Sequence, residues 1–335
     1  MNLTSLMHGN LGGAGRRMSV SFILLGTFII PIVVVFGLLL EGVDRKVNAR
    51  MQRRIGPPVI QPFYDIVKLF GKSYIIPVTA DPYLFVAAPV LAAVCAVTGA
   101  VIVFANAVLR MSVFADLIIV TYLLAMPSLM KMLGASSSGN PYAAIGFSRM
   151  MTMLIAFKLP LLVSIITVAV KSGITLSIGS IISAQINNGI CFAFASPSTA
   201  LAALAFFLCI TAEAGVVPFD IPEAKTEIIH GTMIEYGGPY LALFRIAKST
   251  TVFSMVLLAS VLFFYPNSSL IDQATYRICL DSALVFLFAM VVMLLTVTLP
   301  RTIFSRLKIG QALGFFWAVP LVIGVVSSIL CAIWM

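Results

Sequence analysis

The chain has 335 residues, of which 61% are hydrophobic and only 10% are charged, and its mean hydropathy is +1.09. Since a soluble protein of this size carries about a quarter charged residues, the composition indicates a polytopic membrane protein. The net charge of +9 does not point to nucleic acid, because basic residues of membrane proteins mostly mark the cytoplasmic side. We therefore expect an all-α protein, a single integral membrane domain over residues 1–335, and no nucleic-acid partner.

The five cysteines and two histidines form no metal-binding pattern. The cysteines lie in or beside apolar runs without a C-x-x-C pair, and His8 and His230 are far apart in the sequence. Iron–sulfur clusters, zinc and haem need several such ligands at characteristic spacings. The sequence thus predicts no metal and no cofactor in this chain, so any redox chemistry belongs to a partner subunit.

Runs of about 20 uncharged residues, enough for a helix to cross the bilayer, occur about eight times. They lie near residues 18–40, 83–108, 117–133, 150–170, 199–217, 240–265, 276–299 and 312–334. Residues 1–17 are predicted to form a polar tail. The alternative, an export signal at Arg16-Arg17, is disfavoured because the run 18–40 is long enough to span and lacks an A-x-A cleavage site.

The distribution of lysine and arginine predicts the orientation. Loops near 41–82, 134–149, 218–239 and 300–311 carry twelve basic residues, whereas the opposite side carries five. Those five are Arg16, Arg17, Arg110, Lys171 and Arg277. The positive-inside rule places the first set of loops in the cytoplasm and both termini outside, in the cell membrane, although Arg16 and Arg17 run against it.

The first of these loops is strongly basic. Val43, Val47 and Met51 recur every four residues among arginines, which predicts an amphipathic helix that ends before Gly56-Pro57-Pro58. A second short amphipathic helix is predicted at Gln61–Phe70. The pattern suits a docking helix and equally a loop that binds lipid headgroups.

Nearly half of the 12 acidic residues lie in one stretch, Glu213–Tyr236. They are Glu213, Asp220, Glu223, Glu227 and Glu235. Asp220 and Glu223 have the spacing of a capping box, and Gly231 suits a stop, so a short helix is predicted over Ile221–His230. An acidic cluster between apolar runs is not needed for folding, and the stretch is therefore a candidate functional site.

Lys158 lies within the fourth predicted span, about eight residues from its cytoplasmic end. A charge at this depth is costly, so Lys158 is expected to pair with a carboxylate on another helix. The pair would serve either a charge relay or the structure alone. Arg245, Lys248 and Asp281 lie nearer to span ends, where snorkelling to the interface is the simpler expectation.

Two long motifs resemble one family. The motifs are Asp44-Arg-Lys-Val-Asn-Ala-Arg-Met-Gln-Arg-Arg-Ile-Gly-Pro and the stretch from Glu213 through Pro218-Phe-Asp-Ile-Pro-Glu-Ala to Glu235-Tyr. They are similar to membrane subunit 1 of respiratory complex I, a family that also supplies the membrane anchors of complex-I-like hydrogenases. The resemblance covers most of residues 18–310.

The resemblance implies eight helices at the joint between a cytoplasmic electron-transfer arm and a membrane ion-translocating arm. The expected partners are cytoplasmic iron–sulfur and hydrogenase-like large and small subunits, antiporter-like and small membrane subunits, and the lipid bilayer. Ion coupling would use Glu213, Asp220, Glu223, Glu227, Glu235 and Lys158. Docking to the soluble arm would use Asp44, Arg45, Lys46, Arg50, Arg53 and Arg54. The chain itself would be a non-catalytic subunit of an oxidoreductase.

Departures from the family pattern bear on the electron acceptor. Members that reduce quinone have Asn-Arg before Pro-Phe-Asp, where this chain has Gly215-Val216-Val217, and glutamate where it has Lys158 and Lys248. This favours the branch of group 4 [NiFe] hydrogenases and related sulfane reductases, with nickel–iron and iron–sulfur centres in partners. The alternatives are a quinone-site subunit and a purely structural anchor, and the ion is H⁺ or Na⁺.

Overall fold

The computed structural model describes residues 4–109, 116–266 and 274–333, and within them the chain is all-α. Its helices are α1 Thr4–Met51, α2 Gln61–Phe70, α3 Pro82–Leu109, α4 Leu117–Ser137, α5 Pro141–Lys171, α6 Ile178–Asn188, α7 Phe192–Ala195, α8 Pro197–Glu213, α9 Lys225–Ile228, α10 Gly238–Phe263, α11 Ala274–Met293, α12 Leu299–Ile303, α13 Ile309–Ala318 and α14 Pro320–Ile333.

Seven helical stretches of the described residues are long and apolar enough to cross a membrane. They are Thr27–Met51, Pro82–Val108, Leu117–Ser137, Pro141–Lys171, Gly238–Phe263, Cys279–Ile303 and Ile309–Ile333. The shorter apolar helix α8 stands at the predicted fifth span. The prediction of an all-α, multi-pass membrane protein is thus confirmed.

The helices extend further than the uncharged runs. α1 continues from Thr4 to Met51, so the predicted tail and the predicted basic helix both belong to it. The predicted loop 134–149 is only three residues long, because α4 ends at Ser137 and α5 begins at Pro141. Lys158 therefore lies about 25 Å along α5 rather than a few turns from its start. Charged residues are a poor guide to helix ends here, since a helix continues beyond the hydrocarbon layer.

Three findings concern the end of the bundle opposite the predicted cytoplasmic loops. Between the fourth and fifth predicted spans lies α6, which begins after Ser177, whose side chain accepts a hydrogen bond from the Ser180 N–H as an N-cap. Asp281 is 1% exposed, so it lies inside the protein instead of snorkelling. Arg110 lies outside the described residues.

α10 is the most buried of the candidate spans and contacts α1, α3, α8 and α11. After Arg245 and Lys248 near its start, its sequence is uncharged, which is typical of a helix enclosed by other helices. α10 thereby holds the chain segments on either side of it at a fixed position.

The predicted cytoplasmic loops meet at one end of the bundle. The Asp81 N–H donates to the Ser137 carbonyl at 3.0 Å, and the Leu307 N–H donates to the Pro218 carbonyl at 3.2 Å. At the opposite end, the Leu117 N–H donates to the Leu176 carbonyl at 2.8 Å. We call the first end, with residues 41–82, 138–140, 214–237 and 304–308, the charged end.

A π-helical turn, Leu294–Thr298, connects α11 to α12 at the charged end. Pro300 follows it, and proline lacks the N–H that would bond the carbonyl four residues earlier, at Thr296. The proline ring also clashes with that carbonyl, and the wider π-helical turn before the proline relieves the clash. Thr298 and Arg301 are thereby directed at Asp44 of α1, at 2.8 and 2.7 Å.

The predicted helix over Ile221–His230 is wrong. Only Lys225–Ile228 is α-helical, and a short 3₁₀ turn follows at Gly231–Met233. Ile229 and His230 take left-handed backbone angles, with φ of 49° and 77°. A β-branched residue resists this conformation, so tertiary contacts of the loop override its local capping signals.

One such contact is the close approach of the loop to α5. A methyl group added at Gly146 would lie 2.6 Å from the Thr232 nitrogen. Asp220 also does not cap a helix, since its carboxylate accepts from Arg306 at 3.2 Å. We call residues 214–237 the acidic loop.

Candidate functional site

Glu213 and Lys158 form a buried ion pair. Glu213 is the last residue of α8, and its side chain is 1% exposed. The Lys158 ammonium donates to its Oε2 atom, and the Ser128 hydroxyl donates to Oε1 at 3.3 Å. The expected carboxylate partner of Lys158 is therefore Glu213.

Glu223 of the acidic loop lies between two ammonium groups. Lys131 of α4 donates to Oε1 at 3.2 Å, and Lys248 of α10 donates to Oε2 at 3.1 Å. Burial raises the pKa of the Glu223 carboxyl, but the charges of Lys248 and Lys131 outweigh it and hold the pKa far below its ordinary range. Glu223 thus stays ionised, and Lys248 pairs with it instead of snorkelling.

These contacts define a cluster of three ammonium groups and two carboxylates. We call it the lysine–glutamate cluster: Lys131, Lys158, Glu213, Glu223 and Lys248. It connects α4, α5, α8, α10 and the acidic loop. Because charges are costly to bury unless they are paired, this arrangement depends on every member.

α4 supplies a part of the cluster that the sequence analysis missed. Ser128 and Lys131 are three residues apart and so share one face of the helix, where Ser128 reaches Glu213 and Lys131 reaches Glu223. Lys131 is 7% exposed. The available signal was a lysine six residues before the end of an apolar helix, which by itself indicates only a basic residue close to a loop.

The other three acids of the stretch bind polar groups outside the lysine–glutamate cluster. The contacts are Asp220 with Arg306 at 3.2 Å, Glu227 with Arg149 at 2.5 Å, and Glu235 with Asn140 at 2.5 Å. Glu223 and Glu227 have separate partners. The acidic stretch is therefore divided between the lysine–glutamate cluster and these outer contacts.

The basic first loop also divides. Lys46, Arg50, Arg53 and Arg54 are exposed at the charged end. Arg45 instead binds Glu41 at 2.5 Å and Asp65 at 2.9 Å. Asp44 is 6% exposed and binds Thr298 and Arg301, so its side chain faces inward. The docking role of these residues stays a prediction.

Asp65 connects α2 to α1. Burial raises the pKa of its carboxyl, but hydrogen bonds from Arg45 and Gln61 outweigh this effect and hold the pKa below its ordinary value. The predicted amphipathic helix Gln61–Phe70 is thereby fastened to the bundle through a charge-assisted contact.

A cavity of about 580 Å³ lies beside the cluster, between α1, α10, the π-helical turn and the acidic loop. Its wall is largely apolar, with Leu40, Val216, Phe244 and Val252 among the lining residues. Its charged lining residues are Glu41, Asp44, Arg45, Asp220, Glu223, Arg245, Lys248 and Arg301. The cavity can therefore hold an amphipathic molecule next to Glu223. Among the described residues, no group of histidine, cysteine and acidic side chains is arranged to hold a metal ion.

Comparison with known proteins decides the family. The family model for NADH dehydrogenase matches residues 23–332. The chain belongs to this family of complex I membrane subunits. The H subunit of NADH-quinone oxidoreductase from Anoxybacillus flavithermus is 31% identical to it over 317 residues, covering 90% of this chain and 91% of that protein. The corresponding protein of Geobacillus kaustophilus is 30% identical over 325 residues, covering 92% of both.

A solved structure with the same fold comes from the membrane-bound sulfane sulfur reductase, an archaeal respiratory membrane complex. One of its chains superposes on this one with a TM-score of 0.83 at 32% identity, covering 92% of this chain and 99% of that one. The resemblance carried by the two motifs is thus confirmed. The protein is a multi-pass membrane subunit of a respiratory membrane complex, similar to complex I.

Proposed function

We propose that this chain anchors a cytoplasmic electron-transfer arm and couples its chemistry to ion movement in a membrane arm. The observation that carries the proposal is the ion pair of Glu213 with Lys158, buried in the bundle and joined through α4 to the acidic loop. A charge at membrane depth is costly, and such groups commonly mark ion pathways.

The coupling is electrostatic. A change of charge in an arm docked at the charged end acts on Glu223 and its two lysines. At low effective dielectric, neighbouring charges alter one another's proton affinity and preferred partners. Glu213 then responds inside the membrane through its contact with Lys158.

The exposed cations Lys46, Arg50, Arg53 and Arg54 form the docking surface in this proposal. Arginine forks bind carboxylates in a planar, two-bond geometry that suits recognition of an acidic protein surface. The charged end faces the cytoplasm, and both termini lie outside.

The partner complex is of the hydrogenase or sulfane reductase type. Lys158 and Lys248, at positions where quinone-reducing members have glutamate, support this branch, and so does 32% identity to the sulfane sulfur reductase chain. Its partners are cytoplasmic iron–sulfur subunits, hydrogenase-like large and small subunits, and antiporter-like and small membrane subunits. Nickel with iron in the co-purified complex supports a hydrogenase, whereas iron without nickel supports a sulfur- or quinone-linked enzyme.

The test of coupling is Glu213→Gln in the intact complex, reconstituted in vesicles. In the complexes that assemble, we expect electron transfer to continue and the number of ions moved per electron to fall several-fold, because the neutral amide cannot hold a charge opposite Lys158. Asp116→Asn, an exposed acid at the opposite end, is the matched control. An assembled Glu213→Gln complex that pumps normally would leave the purely structural anchor as the explanation.

A quinone-site subunit is the second candidate. The amphipathic cavity of about 580 Å³ favours it, and the two relatives at 30–31% identity are named as subunits of NADH-quinone oxidoreductase. In Val252→Trp, the larger side chain on the cavity wall would fill part of the cavity. Two results together would support this candidate. The unaltered complex would reduce quinone and show no hydrogenase or sulfur-reducing activity, and Val252→Trp would abolish quinone reduction.

A further inference from the structure

The lysine–glutamate cluster has one more ammonium group than it has carboxylates. Glu223 contacts two of them, Lys131 and Lys248, one on each carboxylate oxygen. Glu213 contacts one, Lys158, on Oε2. At its Oε1 atom the structure gives a single long hydrogen bond, from Ser128 at 3.3 Å. An ionised carboxylate oxygen accepts more than one hydrogen bond, so Glu213 has capacity for a second cation.

The position of Lys131 makes it the cation that the two carboxylates can share. It projects from α4 on the face that also carries Ser128, which is bonded to Glu213. The charge of Glu213 already acts on Lys131 in addition to that of Glu223. Its flexible four-carbon stem allows the ammonium group to change partners without movement of the backbone.

Resting on the proposed function, we infer that Lys131 is a positioning residue that transmits charge from the acidic loop to the membrane by exchanging between Glu223 and Glu213. With Lys131 on Glu223, Glu213 is balanced by Lys158 alone. Added positive charge near the loop weakens the attraction of Glu223 for the Lys131 ammonium group, and Lys131 then moves to Glu213. Glu223 keeps Lys248, so neither carboxylate is left without a counter-ion.

Two other features of the structure suit this exchange. Pro127, one turn before Lys131, removes a backbone hydrogen bond to the Leu123 carbonyl and so loosens α4 locally. Lys248 is also held by the Gly215 carbonyl at 3.2 Å, which fixes it while Lys131 moves. Lys131 has no such second anchor among the hydrogen bonds of the described residues.

The direct test is the position of the ammonium group. In a cryo-EM structure of the intact complex carrying Glu223→Ala, we expect Lys131 Nζ within hydrogen-bond distance of Glu213. In the unaltered complex it contacts Glu223. An ammonium group that stays beside residue 223, or turns away from both positions, would overturn the inference whatever the activity of the variant.

The functional test compares two substitutions of Lys131 in vesicles. With Lys131→Met, electron transfer continues and the ions moved per electron fall several-fold. Lys131→Arg restores only part of the ratio, because guanidinium keeps the charge and the reach but binds a carboxylate in a fixed fork and changes partner less readily. Lys171→Met, a lysine at the opposite end, is the control. Normal coupling in Lys131→Met, or equal loss in both variants, contradicts the exchange.

A double-substitution cycle separates this inference from the proposed function. Lys131 contacts Glu223 and not Glu213, so a role confined to that contact predicts that effects of Lys131→Met and Glu213→Gln on the ion ratio simply combine. Exchange predicts that the second substitution adds little to the first. If Glu213→Gln alone pumps normally, the proposed function fails, and the Glu223→Ala structure still decides whether Lys131 moves.

Discussion

The acids of this stretch form two groups with different surroundings, although the groups interleave along the sequence: the inner carboxylates Glu213 and Glu223, and the outer acids Asp220, Glu227 and Glu235. Glu213 and Glu223 bind lysines from spanning helices, and the Glu213 side chain is almost completely buried. Glu227, by contrast, binds Arg149, and its side chain is 55% exposed. The inner carboxylates join α8 and the acidic loop to spanning helices through the lysine–glutamate cluster, whereas Glu227 fastens the loop to α5 at an exposed contact.

The choice of cation follows the same division. The inner carboxylates have lysine partners, and the outer acids Asp220 and Glu227 have arginine partners. Arginine stays charged and binds in a fixed fork, which suits a permanent fastening. Lysine is a compact charge on a flexible stem, which suits a site where partners change. We therefore expect charge to move within the inner cluster, and the outer contacts to act as anchors.

The largest expected effect comes from removing the lysine of the buried ion pair between Lys158 and Glu213. Lys158→Met leaves the Glu213 carboxylate buried without its ammonium partner, which costs about 3–5 kcal/mol. We expect most of the complex to be lost from membranes, measured as assembled complex by native gel. Adding Glu213→Gln removes the unpaired charge and should restore much of the assembly. A Lys158→Met complex that assembles normally would show that the pair contributes little to the bundle.

The second expected effect depends on pH. The pKa of Glu223 is lowered from its ordinary value of 4.5, so its charge stabilises the folded state above that pH, and this contribution is lost as the pH falls below it. Glu223→Gln should therefore lower the melting temperature of the purified complex clearly at pH 7. The difference from the unaltered protein should shrink steadily below about pH 4.5. A constant difference across that range would contradict an ionised Glu223.

Much of this architecture could be predicted from the sequence. The length of apolar runs predicts the spans, and amphipathic periodicity predicts the helix at Gln61–Phe70. The cost of a buried charge predicts that Lys158 pairs with a carboxylate. The helix at Ile221–His230 failed because the loop packs against Gly146, a contact that no local signal reports. Lys131 was overlooked for a similar reason, since its carboxylate partner Glu223 comes from a distant segment.

Disturbing the packing of the acidic loop against α5 should have an effect of intermediate size. In Gly146→Ala the new methyl group would lie 2.6 Å from the Thr232 nitrogen, so the loop must shift. Such overpacking costs about 1–3 kcal/mol. We expect a lower melting temperature and weaker retention of the soluble arm during purification. Gly179→Ala, where an added methyl group meets open space, is the matched control. Equal behaviour of the two variants would show that the loop yields without cost.

The smallest effect is expected at the outer pair. Glu227→Gln removes one charge from a half-exposed contact with Arg149, and exposed ion pairs contribute under about 1 kcal/mol. Assembly should be unchanged, and the ions moved per electron should match the unaltered complex within error. The resemblance to complex I also placed Glu227 among the coupling residues, so this variant tests the division directly. If Glu227→Gln uncouples as strongly as Glu213→Gln, the relay includes the outer acids, and exposure does not separate coupling from anchoring residues.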